Sequence, residues 1–288
     1  VFSFMWSKMI CIFVKKIGRR SLYCTMLFSI ISVTQAETTL APFIIPDVST
    51  IPKGPLGEAI LKGKDLLSNT RELLPKNVGN GLNCTNCHLK DGTVPYASPW
   101  VGLWGVFPEY RSRDAKVISL SDRINDCFQR SMNGSPISYA SKEMVNILSY
   151  MRWLSTGVPT GQDLVGRGFI KIDTGLTPDV SAGKSLYAQK CSSCHGQNGI
   201  GLKNTDGGYV FPPLWGSQSF NDGAGMSKTY TAAAFIKHNM PLGQEGALTD
   251  QEAVDIAQFI THQPRPVFKG KVNDWPKGGK LKDARNLG

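Results

Sequence analysis

No apolar run in this 288-residue chain reaches the ~20 residues that a membrane-spanning helix needs. The run over 22–33 falls well short, which argues against a permanent membrane anchor. Acid is missing from the first 36 residues, where Lys8, Lys15, Lys16, Arg19 and Arg20 precede that run and Thr34-Gln35-Ala36 follows it. A basic start, a short apolar core and a small-residue end read as a signal peptide, 1–36, cleaved after Ala36, so that the mature chain begins at Glu37. Met9 then reads as the true start; an uncleaved anchor is the competing reading. Spare cysteine is scarce too. Of seven cysteines, Cys11 and Cys24 leave with the signal, four stand in paired motifs and only Cys127 remains. An unpaired thiol in an oxidising compartment needs burial or employment. The formal charge of +10 also shrinks on processing, because removing the five basic signal residues leaves 27 Lys and Arg against 22 Asp and Glu. Nothing resembles a nucleic-acid module.

What is present is Cys-x-x-Cys-His, twice: Cys84-Thr85-Asn86-Cys87-His88 and Cys191-Ser192-Ser193-Cys194-His195. This is the attachment signature of c-type haem. Two thiols take up the two vinyl groups of one porphyrin, and the histidine beside the second cysteine supplies the proximal imidazole. A zinc site is the alternative, but zinc does not require a histidine directly after the second cysteine. Two covalent haem c groups are expected, and export fits them, since the attachment takes place outside the bacterial inner membrane.

The segments around the two motifs read as two versions of one plan. In the second, residues 179–190 carry Ala182, Gly183, Leu186 and Tyr187 at helical spacing. Thr249-Asp250-Gln251-Glu252 is a capping box for a helix with Ala253, Ile256, Phe259 and Ile260 on one face. Before it, Met240 stands ahead of Pro241 in the loop where a distal ligand is expected, with His238, Lys237 and a plain core methionine as rivals. The first copy has a helix around 57–67 and a last helix around 141–154, with Met144, Ile147, Leu148, Met151 and Leu154 on its apolar face. In the loop that matches Met240 stands Cys127, the leftover cysteine, with Met132 five residues on as its competitor. The expected fold class is all-α: two class I cytochrome c-like domains, each wrapped around one covalent haem, with loop-rich connections. The expected boundaries are 37–155 for domain 1, 156–176 for a linker with five glycines, 177–264 for domain 2 and 265–288 for a basic tail. That tail could wrap the domains or dock a partner, but a solvated tail is the default.

With Cys127 and its surroundings, Arg123-Ile124-Asn125-Asp126-Cys127-Phe128-Gln129-Arg130-Ser131-Met132-Asn133-Gly134, the chain resembles the thiosulfate dehydrogenase family of periplasmic dihaem cytochromes c over most of its mature length. The resemblance implies a periplasmic enzyme that joins two thiosulfates into tetrathionate, or runs the reverse. It implies Cys127 as a thiolate ligand opposite His88, and Arg113, Arg123 and Ser131 around the substrate. Some members carry a lysine just before the methionine of the second haem loop; Asn239 stands there here, so His195 and Met240 are expected as the ligands of haem 2. Electrons would leave through haem 2 to a small cytochrome c or a high-potential iron-sulfur protein. The rival readings are a non-catalytic dihaem electron carrier and a partner-dependent sulfur-oxidising cytochrome. A dihaem peroxidase is disfavoured for want of assigned acid and base groups.

Overall fold

The computed structural model describes residues 40–284 except 206, so the signal-peptide reading of 1–36 lies outside the described residues. The first half is built on two helices whose spacing is visible in the sequence. α1 (Pro55–Ser68) begins with proline, whose missing N–H costs nothing at the first helical position, and it buries Ile60, Leu66 and Leu67. Later α2 (Thr70–Leu73), α3 (Leu89–Gly92) and the antiparallel pair β1 (Glu109–Arg111) and β2 (Lys116–Ile118) lead to α4 (Leu120–Arg130). α5 (Lys142–Trp153) starts from Ser141, whose hydroxyl accepts the Met144 N–H, and it buries Met144, Ile147 and Met151. α1 and α5 pack across each other. Gly63 stands at the crossing, where a Cβ would lie 2.0 Å from the Asn146 carbonyl oxygen. Only glycine lets the two backbones approach so closely.

The second half repeats the device. α6 (Val180–Lys190) is capped by the Asp179 carboxylate, α7 (Ser192–His195) follows, and β3 (Leu202–Lys203) pairs with β4 (Tyr209–Phe211). α8 (Thr229–Asn239) precedes α9 (Asp250–Thr261), which opens with the Thr249 and Glu252 capping box and ends before Pro264 as the sequence implies. α6 packs across α9, and a Cβ on Gly183 would lie 2.0 Å from the Asp255 carbonyl oxygen. The plan is helical as expected, with two short hairpins added.

Each half has its hydrophobic cluster, one around Phe128, Met144, Ile147 and Leu154, the other around Tyr187, Val254 and Ile256. They are not independent. Phe220 and Ala224 belong to the first cluster although they follow the second haem motif, and Met226 packs against both. Asn221 fastens this segment to α4, donating to the Gln129 carbonyl at 2.8 Å and to Asn133 at 3.1 Å. The glycine-rich strap is ordered by its backbone: Leu164 pairs with Ala41, and the N–H groups of Tyr96 and Ser98 donate to the carbonyls of Gly166 at 2.6 Å and Gly168 at 2.8 Å.

The carboxy-terminal segment departs from the solvated-tail expectation. Phe268 packs against the Arg130 guanidinium, 4.4 Å from ring centroid to Cζ, and the Trp275 N–H donates to the Arg113 carbonyl at 2.7 Å. Its acids explain the docking: Asp274 meets Arg130, and the Asp283 carboxylate accepts the Tyr230 N–H at 2.9 Å. A mostly basic segment is held by its two acids. Among the described residues no helix is long and apolar enough to cross a membrane.

Candidate active site

The two motif histidines are held alike. His88 Nδ1 donates to the Ser98 carbonyl at 2.5 Å, and His195 Nδ1 donates to the Pro212 carbonyl at 2.9 Å. A carbonyl can only accept, so each ring keeps its proton on Nδ1 and presents a bare Nε2, the atom a proximal ligand uses. Burial pushes the His88 imidazole down to about 4 and lowers His195 as well, which keeps both rings neutral. The His88 ring also leans on Trp100, with centroids 4.9 Å apart.

Cys84, Cys87, Cys191 and Cys194 stand as free thiols, two per motif, the number that could take up the two vinyl groups of one porphyrin. Burial pushes Cys84 and Cys87 up to about 12, and the neighbouring Cys127 adds to the rise in both. The Arg123 charge adds a smaller lowering to that which burial imposes on His88. The Cys127 face of α4 therefore adjoins the first motif. Cysteine pairs without a disulfide, each followed by an Nδ1-anchored histidine, are the donor set that covalent haem requires. Among the described residues no group of three or more His, Cys, Asp and Glu side chains is arranged to hold a bare metal ion.

Cys127 is not in an irregular loop, as its alignment with the Met240 loop implies; it lies within α4, and Met240 is the residue that closes α8. The helix explains the site. Arg123, Cys127 and Ser131 are four residues apart and so share one face. Arg123 Nη1 donates to Cys127 Sγ at 2.8 Å, and the Cys127 charge holds Arg123 above the usual guanidinium range. Ser131 caps α4 and its carbonyl accepts from Asn80 at 2.8 Å. Arg113 comes from the turn between β1 and β2, and donates to the Gly223 carbonyl at 3.3 Å. Met132 is buried at 3 % exposure in the first hydrophobic cluster.

Asp126 ties the arginines together. Its carboxylate pairs with Arg130, lies 3.5 Å from Arg123 and lies 3.8 Å from Arg113. Burial alone would raise its pKa, but the three guanidiniums hold it below the usual carboxylate range. Arg130 completes the network through Asp274, at 2.7 and 2.9 Å. Sequence reasoning passes over Asp126, Arg130 and Asp274. The four-residue spacing of Asp126 and Arg130 is a local signal for the first two, but Asp274 is 144 positions from Arg130 and has none.

In the second half Met240 packs against the hydrophobic cluster, while the Lys237 ammonium is occupied by the Leu248 carbonyl and lies 3.8 Å from Asp250. Asn239 is buried and donates to the Phe235 carbonyl at 3.1 Å and to the Tyr96 carbonyl at 3.4 Å, a link to the loop that anchors His88.

Residues 72–160 match the SoxA/TsdA cytochrome c domain, and residues 178–260 match cytochrome c oxidase, cbb3-type, subunit III. A thiosulfate dehydrogenase of Psychrobacter arcticus is 50 % identical over 241 residues, covering 84 % of this chain and 74 % of that one. The chain belongs to the thiosulfate dehydrogenase family. Another member, from Allochromatium vinosum, is 45 % identical over 83 % of this chain and 90 % of its own. The solved thiosulfate dehydrogenase (TsdBA) of Marichromatium purpuratum, as isolated, superposes with a TM-score of 0.75 at 40 % identity over 78 % of this chain. The chain spans 50 % of that longer protein. Family membership makes the chain an oxidoreductase built from two cytochrome c domains with two covalent haem c groups.

Proposed function

We propose that the chain oxidises two thiosulfates to tetrathionate at the Cys127 site, in the periplasm. The observation that carries this reading is the single face of α4 on which Arg123 donates to Cys127 Sγ at 2.8 Å, beside Asp126 and Arg113. In this reading His88 and Cys127 are the iron ligands of haem 1, and His195 and Met240 those of haem 2. The boundaries are 37–155 for the catalytic domain, 156–176 for the strap, 177–264 for the electron-transfer domain and 265–288 for the tail.

The arginines answer an electrostatic requirement. Two dianions brought to about 4 Å repel by roughly 4 kcal/mol even at the dielectric of water, and by more in a drier cleft. Arg113 and Arg123 offset that repulsion, and their planar donor forks match oxyanions. Ser131, one turn beyond Cys127, offers a hydroxyl to the same anion. The Cys127 thiolate, held beside Arg123, joins the outer sulfur of the first thiosulfate with loss of two electrons, giving a sulfonated persulfide. The second thiosulfate attacks that outer sulfur, the bond to Cys127 breaks, tetrathionate leaves and Cys127 returns as thiolate. Haems held by His88 with Cys127 and by His195 with Met240 would supply the one-electron redox chemistry that links this two-electron oxidation to an external acceptor, a small cytochrome c or a high-potential iron-sulfur protein.

The test is to assay the haem-loaded protein and Cys127→Gly with thiosulfate and ferricyanide, measuring tetrathionate. Turnover by the wild type and none by a variant that keeps both haems is the expected result. If neither forms tetrathionate, the chain is an electron carrier or depends on a sulfur-carrying partner.

A further inference from the structure

Beneath the carboxy-terminal segment lies a cavity of about 80 Å³ that the chemistry at Cys127 does not use. Its charged and aromatic lining is Asp222, Lys228, Lys271, Asp274, Trp275 and Lys280. Both carboxylates are already engaged: Asp222 pairs with Lys271 and accepts the Phe268 N–H at 2.8 Å, and Asp274 holds Arg130 in two hydrogen bonds. Lys228 is different. It is 9 % exposed, and among the described residues it forms no ion pair. Its ammonium lies over the Trp275 ring, 5.3 Å from the centroid, on the wall of the same cavity.

A buried ammonium without an anion is expensive, and proteins normally pair it or discharge it. Burial, and then Arg113, push Lys228 down to about 8, so it remains a cation at neutral pH. Asp283 and Asp274 oppose this from a distance, and Arg130 adds to it. Trp275 is held at a φ of 55°, an uncommon conformation for a bulky residue, by its hydrogen bond to Arg113. The conformation keeps the indole against Lys228. A water needs about 10–15 Å³ of such space, so the cavity has room for one small tetrahedral anion.

We propose that this cavity binds a small tetrahedral dianion of the sulfate and thiosulfate class, with Lys228 as its principal cationic ligand. The bound anion neutralises Lys228 and stiffens the segment through which Trp275 and Asp274 hold Arg113 and Arg130. The proposal is independent of turnover at Cys127, because its readout is binding. Crystals of the haem-loaded protein soaked in selenate will show anomalous selenium density in the cavity beside Lys228. Low-millimolar sulfate, at constant ionic strength against chloride, will raise the melting temperature of the wild type and of Lys228→Arg. Lys228→Met will lose the cavity selenium and bind sulfate at least about ten-fold more weakly. Selenium confined to Arg113 and Arg123, or an equal sulfate response in wild type and Lys228→Met, overturns the proposal. Should Lys228→Met fail to assemble, the soaked wild-type crystal decides alone.

Discussion

Residue by residue, the site is an exercise in keeping partly buried charges partnered. Arg123 reaches the Cys127 sulfur along one helix turn, and Asp126 holds the three guanidiniums that would otherwise repel one another. A hydrogen bond to a charged group is worth about 1.5–3 kcal/mol. Arg123→Gln is therefore expected to lower kcat/KM for thiosulfate by roughly 10- to 100-fold. Steady-state assays with ferricyanide check it, and the haem content of the variant should match the wild type.

At the scale of the element, both halves use the same joint, a leading helix crossing a final helix through a glycine. Gly63→Ala and Gly183→Ala each drive a methyl into a carbonyl oxygen on the facing helix. Each is expected to cost about 1–3 kcal/mol, read as a lower midpoint in urea. α4 carries a different element-level dependence. Its capping box pairs Ser119 with the Asp122 carboxylate, which also accepts the Tyr139 hydroxyl at 2.7 Å. The Tyr139 hydrogen bond, followed by those from Ser119, holds Asp122 below its usual value of 3.8. A depressed folded pKa means stability that is fully present above the unfolded value and is lost as pH falls through the folded one. Urea unfolding should show wild type more stable than Asp122→Asn at pH 5, with the gap closing as the pH is taken below 3.8.

At the scale of the whole molecule, the tail is part of the support of the arginine network on α4. Arg130 and Asp274 are both nearly buried, with side chains 7 % and 6 % exposed. Breaking a buried pair by removing one partner typically costs 3–5 kcal/mol; because Asp126 and the Gly223 carbonyl still serve Arg130, Asp274→Ala is expected at the low end, about 3 kcal/mol. Denaturant unfolding measures this. The same variant should lower the KM for thiosulfate, because one carboxylate is gone and Asp126, drawn toward Arg130, leaves Arg123 freer for the anion.

Much of this was legible along the chain because its causes are local. The haem motifs are contiguous by chemical necessity, and the helices at 57–67, 141–154 and 249–261 carry their apolar spacing or caps within a few residues. Arg123, Cys127 and Ser131 stand four apart, but the spacing became a shared face only because the structure puts the first two in α4 instead of a loop. The family resemblance pointed to Arg113 as well, without showing which element carries it. What tertiary structure decided is everything that joins distant positions: Phe220 in the first core, Asn239 against Tyr96, and Asp274 against Arg130. The tail shows why. Its composition, basic and rich in glycine and proline, reads as solvated, yet two carboxylates, Phe268 and Trp275 each find a partner supplied by other parts of the fold. A residue's charge is written in the sequence, but whether that charge is hydrated or paired depends on what folding brings beside it.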